Sequence, residues 1–356
     1  VNEMFDKVLK LCSLPFALLL LAGFSGCIDN PATTDDPNVY EAEFQLLWEL
    51  FDSRYVGFRT HGTDWNALYE QFKPQAGSVS SREEMTALTM ELLSRLQDRR
   101  IVLYDSAWSS EKPYSPPVFT NCSPEVLLEY LSPWGFQWMQ EDIWGHCLAG
   151  ADSVPYFVFL SWDGDMNVSL FDNILFQLQD RPAVILDIRL CQGGRQGTLV
   201  NVVRRFVDQP RVGFLTQRRL NAQIHDLTPP VAYDLIPRGW HYGGTVVVLA
   251  GGLDGASSEM FLSCMSSLPG VTIIGDTTMG SANWPSELWE LPEGCHVTVP
   301  SQTFLLPDTT MIEGAGIPPD IAVEATEEDF TEGVDPVLEY AFQWLGAEPP
   351  RVRARR

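Results

Sequence analysis

Two glycine-rich turns, each between an apolar strand-like run and a helix-like run, are the parts of this sequence best suited to chemistry. The first turn lies in Leu186–Thr198 and contains Gly193 and Gly194. The second lies in Leu249–Met260 and contains Ala256. A helix that begins after a tight turn exposes backbone N–H groups that can stabilise an oxyanion, and a side chain at such a turn stands clear of the sheet. The arrangement indicates acyl-transfer chemistry.

The elements around these turns are typical of an α/β fold. Continuous apolar runs at 183–188, 245–250 and 271–275 predict strands covered on both faces, and predicted helices separate them, which favours parallel pairing. Helical spacing of apolar residues over 40–58 and a capping-box pattern at 81–84 predict a small helical unit before this core. Further predicted elements are helices at 64–72, 170–178, 198–207, 257–267 and 337–345 and strands at 156–160, 297–300 and 321–323.

The sequence pattern divides the chain into six segments. They are a signal peptide at 1–26, a lipidated cysteine and tether at 27–39, a helical cap at 40–104, a connecting segment at 105–155, an α/β core at 156–346 and a basic tail at 347–356.

The amino terminus has the pattern of a secretory signal peptide. Its apolar run at 14–23 is far shorter than the roughly 20 residues that span a bilayer. Two lysines precede the run, and residues 24–27 resemble the lipobox of bacterial lipoproteins, with Phe24 where Leu is usual. We therefore expect a bacterial cell-envelope protein, lipid-anchored through Cys27 on the periplasmic or outer-membrane face. A plain secreted protein with an incidental cysteine is the alternative.

Composition limits the partners and the site chemistry. The chain has 356 residues, of which 45% are hydrophobic and 20% charged, and its net charge of −24 argues against a nucleic-acid partner. The five cysteines after Cys27 lack metal-ligand spacing, which argues against a zinc site and favours buried free thiols. No phosphate-binding glycine fingerprint is present, and we expect neither a metal nor a cofactor.

Five short motifs, in the same order, resemble those of the tail-specific, or C-terminal processing, serine peptidases, in the bacterial lipoprotein branch without a PDZ insert. The motifs are Leu96–Leu103 (family pattern Leu-x-Asp-Gly-His), Asp187–Gly194 (Asp-x-Arg-x-Asn-x-Gly-Gly), Asp254–Glu259 (Thr-x-Ser-Ala-Ala-Glu), Gly275–Gly280 (Gly-Asp-x-Thr-x-Gly) and Glu313–Val323 (Glu-Gly-x-Gly-Ile-x-Pro-Asp-Ile-x-Val). The resemblance covers about residues 40–345. It implies a crotonase/ClpP-like α/β core with an N-terminal helical cap.

The catalytic positions depart from the family pattern. In that family a Ser attacks the peptide carbonyl, a His from the cap or a Lys takes its proton, and a carboxylate supports the base. The positions that the resemblance implies are Ala256 for the nucleophile, Arg100 for the His, Ser281 for the Lys, Glu313 for the carboxylate, and Gly193 or Gly194 with Ser257 for the oxyanion donors. A methyl group cannot attack a carbonyl, and a guanidinium stays protonated, so we expect hydrolysis to be lost.

Three alternatives stay open. Ser257 could replace the nucleophile, although one step along a helix rotates a side chain by about 100°. Another histidine could act as the base; the candidates are His61, His146, His225, His241 and His296, and none lies in a matching motif. Glu313 could be a structural turn acid without a role in the site.

The expected function is therefore binding without catalysis. The retained cleft, beside an exposed strand edge, would take a peptide or protein C-terminus or an apolar small molecule. An active serine hydrolase that uses Ser257 and a purely structural envelope protein are the alternatives.

Overall fold

The computed structural model describes residues 39–220 and 227–350, which form two compact units. The first unit takes its described residues from Val1–Pro116, Arg218–Thr228 and Asn283–Thr303. The second takes them from Pro117–Gln217, Pro229–Ala282 and Phe304–Arg356. The predicted signal peptide, Cys27 and nearly all of its tether, and residues 351–356 of the basic tail lie outside the described residues.

The helices follow most of the predicted ranges. In chain order the described residues contain α1 (Val39–Arg54), α2 (Phe58–His61), α3 (Trp65–Ala76), α4 (Arg82–Ser94), α5 (Pro124–Leu131), α6 (Val168–Gln177), α7 (Gln196–Val203), α8 (Ser257–Ser266), α9 (Glu327–Thr331) and α10 (Pro336–Trp344). No helix among the described residues is long and apolar enough to cross a membrane.

The strands outnumber those predicted. In chain order they are β1 (Leu103–Tyr104), β2 (Ser110–Glu111), β3 (Gln137–Gln140), β4 (Trp144–Ala149), β5 (Val154–Phe159), β6 (Ala183–Asp187), β7 (Arg211–Arg218), β8 (Val231–Leu235), β9 (Thr245–Ala250), β10 (Val271–Gly275), β11 (Asn283–Glu290), β12 (His296–Leu305) and β13 (Ile321–Ala322).

The helices of the first unit begin at side-chain caps. The Asp64 carboxylate accepts the Ala67 N–H at 2.9 Å before α3, and the Ser81 hydroxyl accepts the Glu84 N–H at 3.2 Å before α4. Two predicted bounds were wrong. The helix expected over 40–58 stops at Arg54 and resumes as α2, and α3 runs past Pro74, which lies in its last turn and so removes only one backbone hydrogen bond.

The first unit also contains a small antiparallel sheet that the sequence did not assign to the cap. Its strands pair in the order β2, β1, β12, β11, with Leu103 opposite Val297 and Trp289 opposite Val297 on the other side. Val297 is fully buried in the cluster that packs the helices of this unit. Strands from 283–303 therefore complete the core of a unit predicted to end at residue 104.

The second unit is built on a seven-stranded sheet in the order β13, β10, β9, β6, β5, β4, β3. The strands from β13 to β5 pair in parallel, whereas β4 and β3 are antiparallel and come from the segment 105–155, which we expected only as a connection. Neighbouring parallel strands end at the same edge of a sheet. The glycine turns that follow β6 and β9 therefore lie side by side.

The remaining cysteines are buried thiols, as predicted. Within the described part of the chain, the free cysteines are Cys122, Cys147, Cys191, Cys264 and Cys295, all of them buried.

Candidate functional site

The turn between β9 and α8 places Ala256 in a strained backbone conformation. Ala256 has φ 50° and ψ −110°, a region that residues with a Cβ rarely adopt. It is 8% exposed and is the residue just before the first turn of α8. A strained strand-to-helix turn is the geometry that presents a nucleophile in hydrolases. Here the same geometry presents a methyl group.

A buried carboxylate holds this turn in place. Glu259, fully buried in the first turn of α8, accepts the Ala256 N–H at 3.1 Å, the Gly280 N–H at 2.6 Å and the Ser281 N–H at 2.8 Å. Its other partner is the Thr278 hydroxyl, which donates at 2.6 Å. Four donors on one carboxylate join the turn at 256 to the turn at 278–281, and this role of Glu259 was not visible from its place in the motif.

Burial has the largest effect on the pKa values of the carboxyl groups near this turn. Burial raises the pKa of Glu259 to about 7, against the lowering effect of its hydrogen bonds, and the charge of Glu313 raises it further. Asp254, also fully buried, has its pKa raised by burial well above the usual range and accepts the Gly251 N–H at 2.8 Å. The carboxyl groups of Asp254 and Glu259 are therefore two buried acids near this turn, and burial disfavours the charged form of each.

The first glycine turn packs against the start of α8. A Cβ on Gly194, which has φ 139°, would lie 2.5 Å from the Trp162 carbonyl carbon, so only glycine fits there. A Cβ on Gly193 would lie 3.9 Å from the Ser257 nitrogen, which places the turn beside the helix terminus. Backbone bonds from Trp162 to Gly193 and from Arg195 to Trp162, both 2.7 Å, fix this position.

Backbone N–H groups of the first glycine turn and of the start of α8 are candidate oxyanion donors. Burial raises the pKa of the Cys191 thiol to about 12, against the lowering effects of the Ser258 side chain and the Gly193 N–H. The N–H groups of Gly194 and Ser257 have no acceptor within 39–220 and 227–350. These two amides can therefore donate to the oxygen of a bound carbonyl or carboxylate.

The hydroxyl of Ser257 is turned away from the Ala256 position. Its Oγ donates to the Gly194 carbonyl oxygen at 2.5 Å, and the residue is 4% exposed. The neighbouring Ser258 is fully buried and bonds the Cys191 carbonyl at 3.3 Å. Both serines thus bind the first glycine turn.

The Glu313 carboxylate binds the segment 281–282, which contacts the turn at Ala256. Its Oε2 accepts the Ala282 N–H at 2.6 Å, and the adjacent Ser281 carbonyl accepts the Ala256 N–H at 3.1 Å. Glu313 is 7% exposed. The predicted supporting carboxylate, the predicted lysine position at Ser281 and the predicted nucleophile position are therefore brought together within the second unit.

Arg100 lies in the first unit, so its predicted approach to Ala256 stays a prediction. Its backbone N–H donates to Asp98 Oδ1 at 2.7 Å, and its carbonyl accepts the Thr298 hydroxyl at 2.9 Å. Asp98 is buried and also accepts the Tyr55 hydroxyl at 2.9 Å. A ring nitrogen of His61 lies within 4.8 Å of an Asp98 oxygen, a pairing of distant residues that no motif signalled.

The charged residues of the first glycine motif have a structural role. Arg189 is fully buried and bonds Asp187 at 2.8 Å and Asp335, the cap of α10, at 2.8 Å. Tyr156 donates to Asp187 at 2.6 Å. This network ties the end of β6 to α10, and the sequence did not single out Asp335 as its third charge.

Sequence comparisons agree with this architecture. Residues 158–323 match the family model described as peptidase family S41, and residues 36–94 match the model described as the tricorn protease C1 domain. No curated protein matches the sequence.

Solved structures share the fold. A Parabacteroides merdae protein with a provisional peptidase assignment has a TM-score of 0.77 at 23% identity, over 87% of this chain and 97% of that chain. The photosystem II D1 C-terminal processing protease has 0.52 at 15%, over 83% and 96%. A lipoprotein from Streptococcus agalactiae has 0.53 at 12%, over 88% and 99%. The predicted α/β fold with an N-terminal helical region is confirmed.

Proposed function

We propose that this chain, which belongs to the tail-specific S41 peptidase family, is a member that has lost catalysis and retains ligand binding. The observation that carries the proposal is position 256, where a strained turn of nucleophile geometry presents only a methyl group. Nothing on that side chain can form an acyl-enzyme.

The surrounding structure supports retention of a binding site. A residue in a sparsely populated backbone region costs about 1–3 kcal/mol and persists only where its surroundings hold it there. Here the Glu259 carboxylate holds the turn, and the N–H groups of Gly194 and Ser257 have no acceptor among residues 39–220 and 227–350. A peptide carbonyl or a terminal carboxylate has the oxygen that these amides would bind.

The proposed ligand is a peptide or a protein C-terminus, with an apolar small molecule as the other possibility. The D1 processing protease, by its name, acts on a C-terminus, and the chain shares its fold. We propose location at the cell envelope through acylation of Cys27, which the fold shared with a lipoprotein supports. Radioactive palmitate should label the full chain and fail to label Cys27→Ser; equal labelling would contradict the anchor.

An active hydrolase with a rearranged site is the second candidate. The observation that favours it is the imidazole of His61 beside Asp98, the pairing of a base with its supporting acid. The Ser257 hydroxyl counts against it, because it is buried and donates to Gly194.

A fluorophosphonate probe separates the two candidates, since it labels activated serines. The wild-type chain should not be labelled. Labelling that disappears in Ser257→Ala, and remains in the neighbouring Ser258→Ala control, would establish the hydrolase and overturn our proposal.

Restoring the chemistry tests whether the turn is intact. The double variant Ala256→Ser, Arg100→His should react with the probe, whereas Ala256→Ser alone should react far less because it lacks a base. Adding Glu313→Gln to the double variant should lower the labelling again. A double variant that folds and stays unlabelled would count against our placement of these residues.

A further inference from the structure

Three cationic side chains of the first unit form what we call the cationic cluster: Arg99, Arg100 and Lys112. None of them forms a salt bridge among the described residues. The chain has 47 acidic residues and only 23 Lys and Arg. In such a protein, three cations lying together without a carboxylate call for a partner of opposite charge.

The fold of the β1–β2 hairpin brings these residues together. Leu103 pairs with Glu111, so the same antiparallel register carried one residue further places Lys112 opposite Val102, two residues from Arg100. The guanidinium of Arg99 lies 5.9 Å from the ring centre of Tyr114 and donates to the Pro116 carbonyl at 3.1 Å. The segment after β2 therefore runs beside residues 99–102.

The carboxylate closest in sequence does not neutralise the cluster. Asp98 is buried, and its oxygens accept the Arg100 backbone N–H, the Tyr55 hydroxyl and the Asn283 amide, at 2.7, 2.9 and 2.9 Å. The Asp98 carboxylate forms no ion pair with the Arg100 guanidinium. Arg100 Nε is a buried atom with no acceptor among the described residues.

Among the described residues, some other arginines of this unit, although not Arg59 or Arg218, are paired with acids. Arg82 bonds Glu43 at 2.7 Å, and Arg95 bonds Glu91 at 2.9 Å.

The two arginines of the cluster affect the pKa of Lys112. Burial of the Lys112 amine among neighbouring groups lowers its pKa, and the charges of Arg100 and Arg99 lower it further, although much of the side chain is exposed. The hairpin pairing and the contacts of Arg99 with Tyr114 and Pro116 bring the segment after β2 beside residues 99–102. A bound anion would oppose the lowering of the Lys112 pKa.

We infer that the cationic cluster is an anion-binding site that receives the terminal carboxylate of a peptide ligand. This inference rests on the proposed function, because it specifies the charged end of the peptide proposed there. Planar guanidinium groups bind carboxylates through two parallel hydrogen bonds, and Arg100 carries a permanent charge where a catalytic histidine would titrate. Inorganic phosphate has the same oxyanion chemistry and is the competing source.

Lysine acylation reports occupancy of the site. The described residues contain only two lysines, Lys73 and Lys112, so Lys73 serves as an internal control. The full chain is treated with an N-hydroxysuccinimide acetate at about pH 8, and acetylation of each lysine is followed by peptide mass spectrometry. The probes are N-acetylated random hexapeptides with a free C-terminal carboxylate, the same mixture with a C-terminal amide, and inorganic phosphate, all at equal ionic strength. Equilibrium dialysis of the same samples measures peptide binding.

The free-carboxylate mixture should protect Lys112 and leave Lys73 unchanged. An anion that raises the pKa of Lys112 by about one unit reduces its reactive fraction up to about tenfold. The amide mixture should give much less protection. Arg100→Gln should abolish protection, whereas the matched control Arg95→Gln should keep it.

Two results overturn the inference without touching the proposed function. In one, dialysis shows peptide binding and neither mixture protects Lys112; in the other, the amide protects as well as the acid. Protection by phosphate alone assigns the site to a free anion and overturns the peptide assignment. Absence of peptide binding in dialysis is instead a failure of the proposed function.

Discussion

Replacing Ala256 by glycine should affect stability differently from the same change elsewhere. An Ala→Gly change ordinarily costs about 0.5–1 kcal/mol in chain entropy. Loss of a buried methyl adds about 0.8 kcal/mol. At φ 50° and ψ −110°, however, glycine releases strain of about 1–3 kcal/mol. We expect Ala256→Gly to lie between about 0.8 kcal/mol less stable and about 1.7 kcal/mol more stable than the wild type.

The matched control is Ala341→Gly, because Ala341 is fully buried inside α10 with helical geometry. It should lose about 1–2 kcal/mol. Urea unfolding of both variants, compared through their midpoints at a common m-value, measures the difference between them. That difference is the strain itself. If the two variants lose the same free energy of unfolding, the turn is not strained in solution and the reasoning about position 256 is wrong.

Three further predictions concern charged groups. Arg189→Met should destabilise the protein by about 3–5 kcal/mol by leaving two buried carboxylates without their cation, whereas Arg95→Met at an exposed pair should cost under about 1 kcal/mol; equal losses in urea unfolding would contradict the buried network. The folded-state pKa of Glu259, about 7, lies above its unfolded value of about 4.5. Stability should therefore fall by about 3 kcal/mol as pH rises from about 4.5 to about 7, because only the folded state holds the proton there. The difference between the wild-type and Glu259→Gln pH profiles isolates this group, and parallel profiles would contradict it. Without ligand, Lys112 should be acetylated faster than Lys73, since the pKa of Lys112 is lowered and the hydrogen bond that the Lys73 ammonium donates to the Tyr69 hydroxyl raises the pKa of Lys73; a faster Lys73 would refute these directions.

Much of the core was predictable because its signals are local. The continuous apolar runs at 183–188 and 245–250 became buried parallel strands, and a glycine turn follows each of them as predicted. The missed elements depend on distant partners. The two-residue strand β1 exists because Leu103 meets Val297, and no local pattern of two residues can indicate that.

In the candidate site, too, some features could be predicted from the sequence and others depend on distant partners. The motif order indicated position 256 and Glu313, and the structure places both beside the segment at 281–282. The role of Glu259 could not be predicted, because its four donors come from two turns separated by about twenty residues. That the N–H groups of Gly194 and Ser257 lack an acceptor among the described residues also required coordinates, since hydrogen-bond pairing depends on the folded backbone.

The sequence by itself determined which side chain occupies each position, and therefore that position 256 carries a methyl group and position 100 a permanent cation. The chemical identity of a side chain follows from the sequence alone and does not depend on the fold. Only the tertiary structure decided that the turn at 256 keeps its strained backbone, that Ser257 donates to Gly194, and that the segment after β2 runs beside Arg99. The physical reason is that strain, hydrogen-bond direction and electrostatic pairing are properties of distances between residues far apart in the chain.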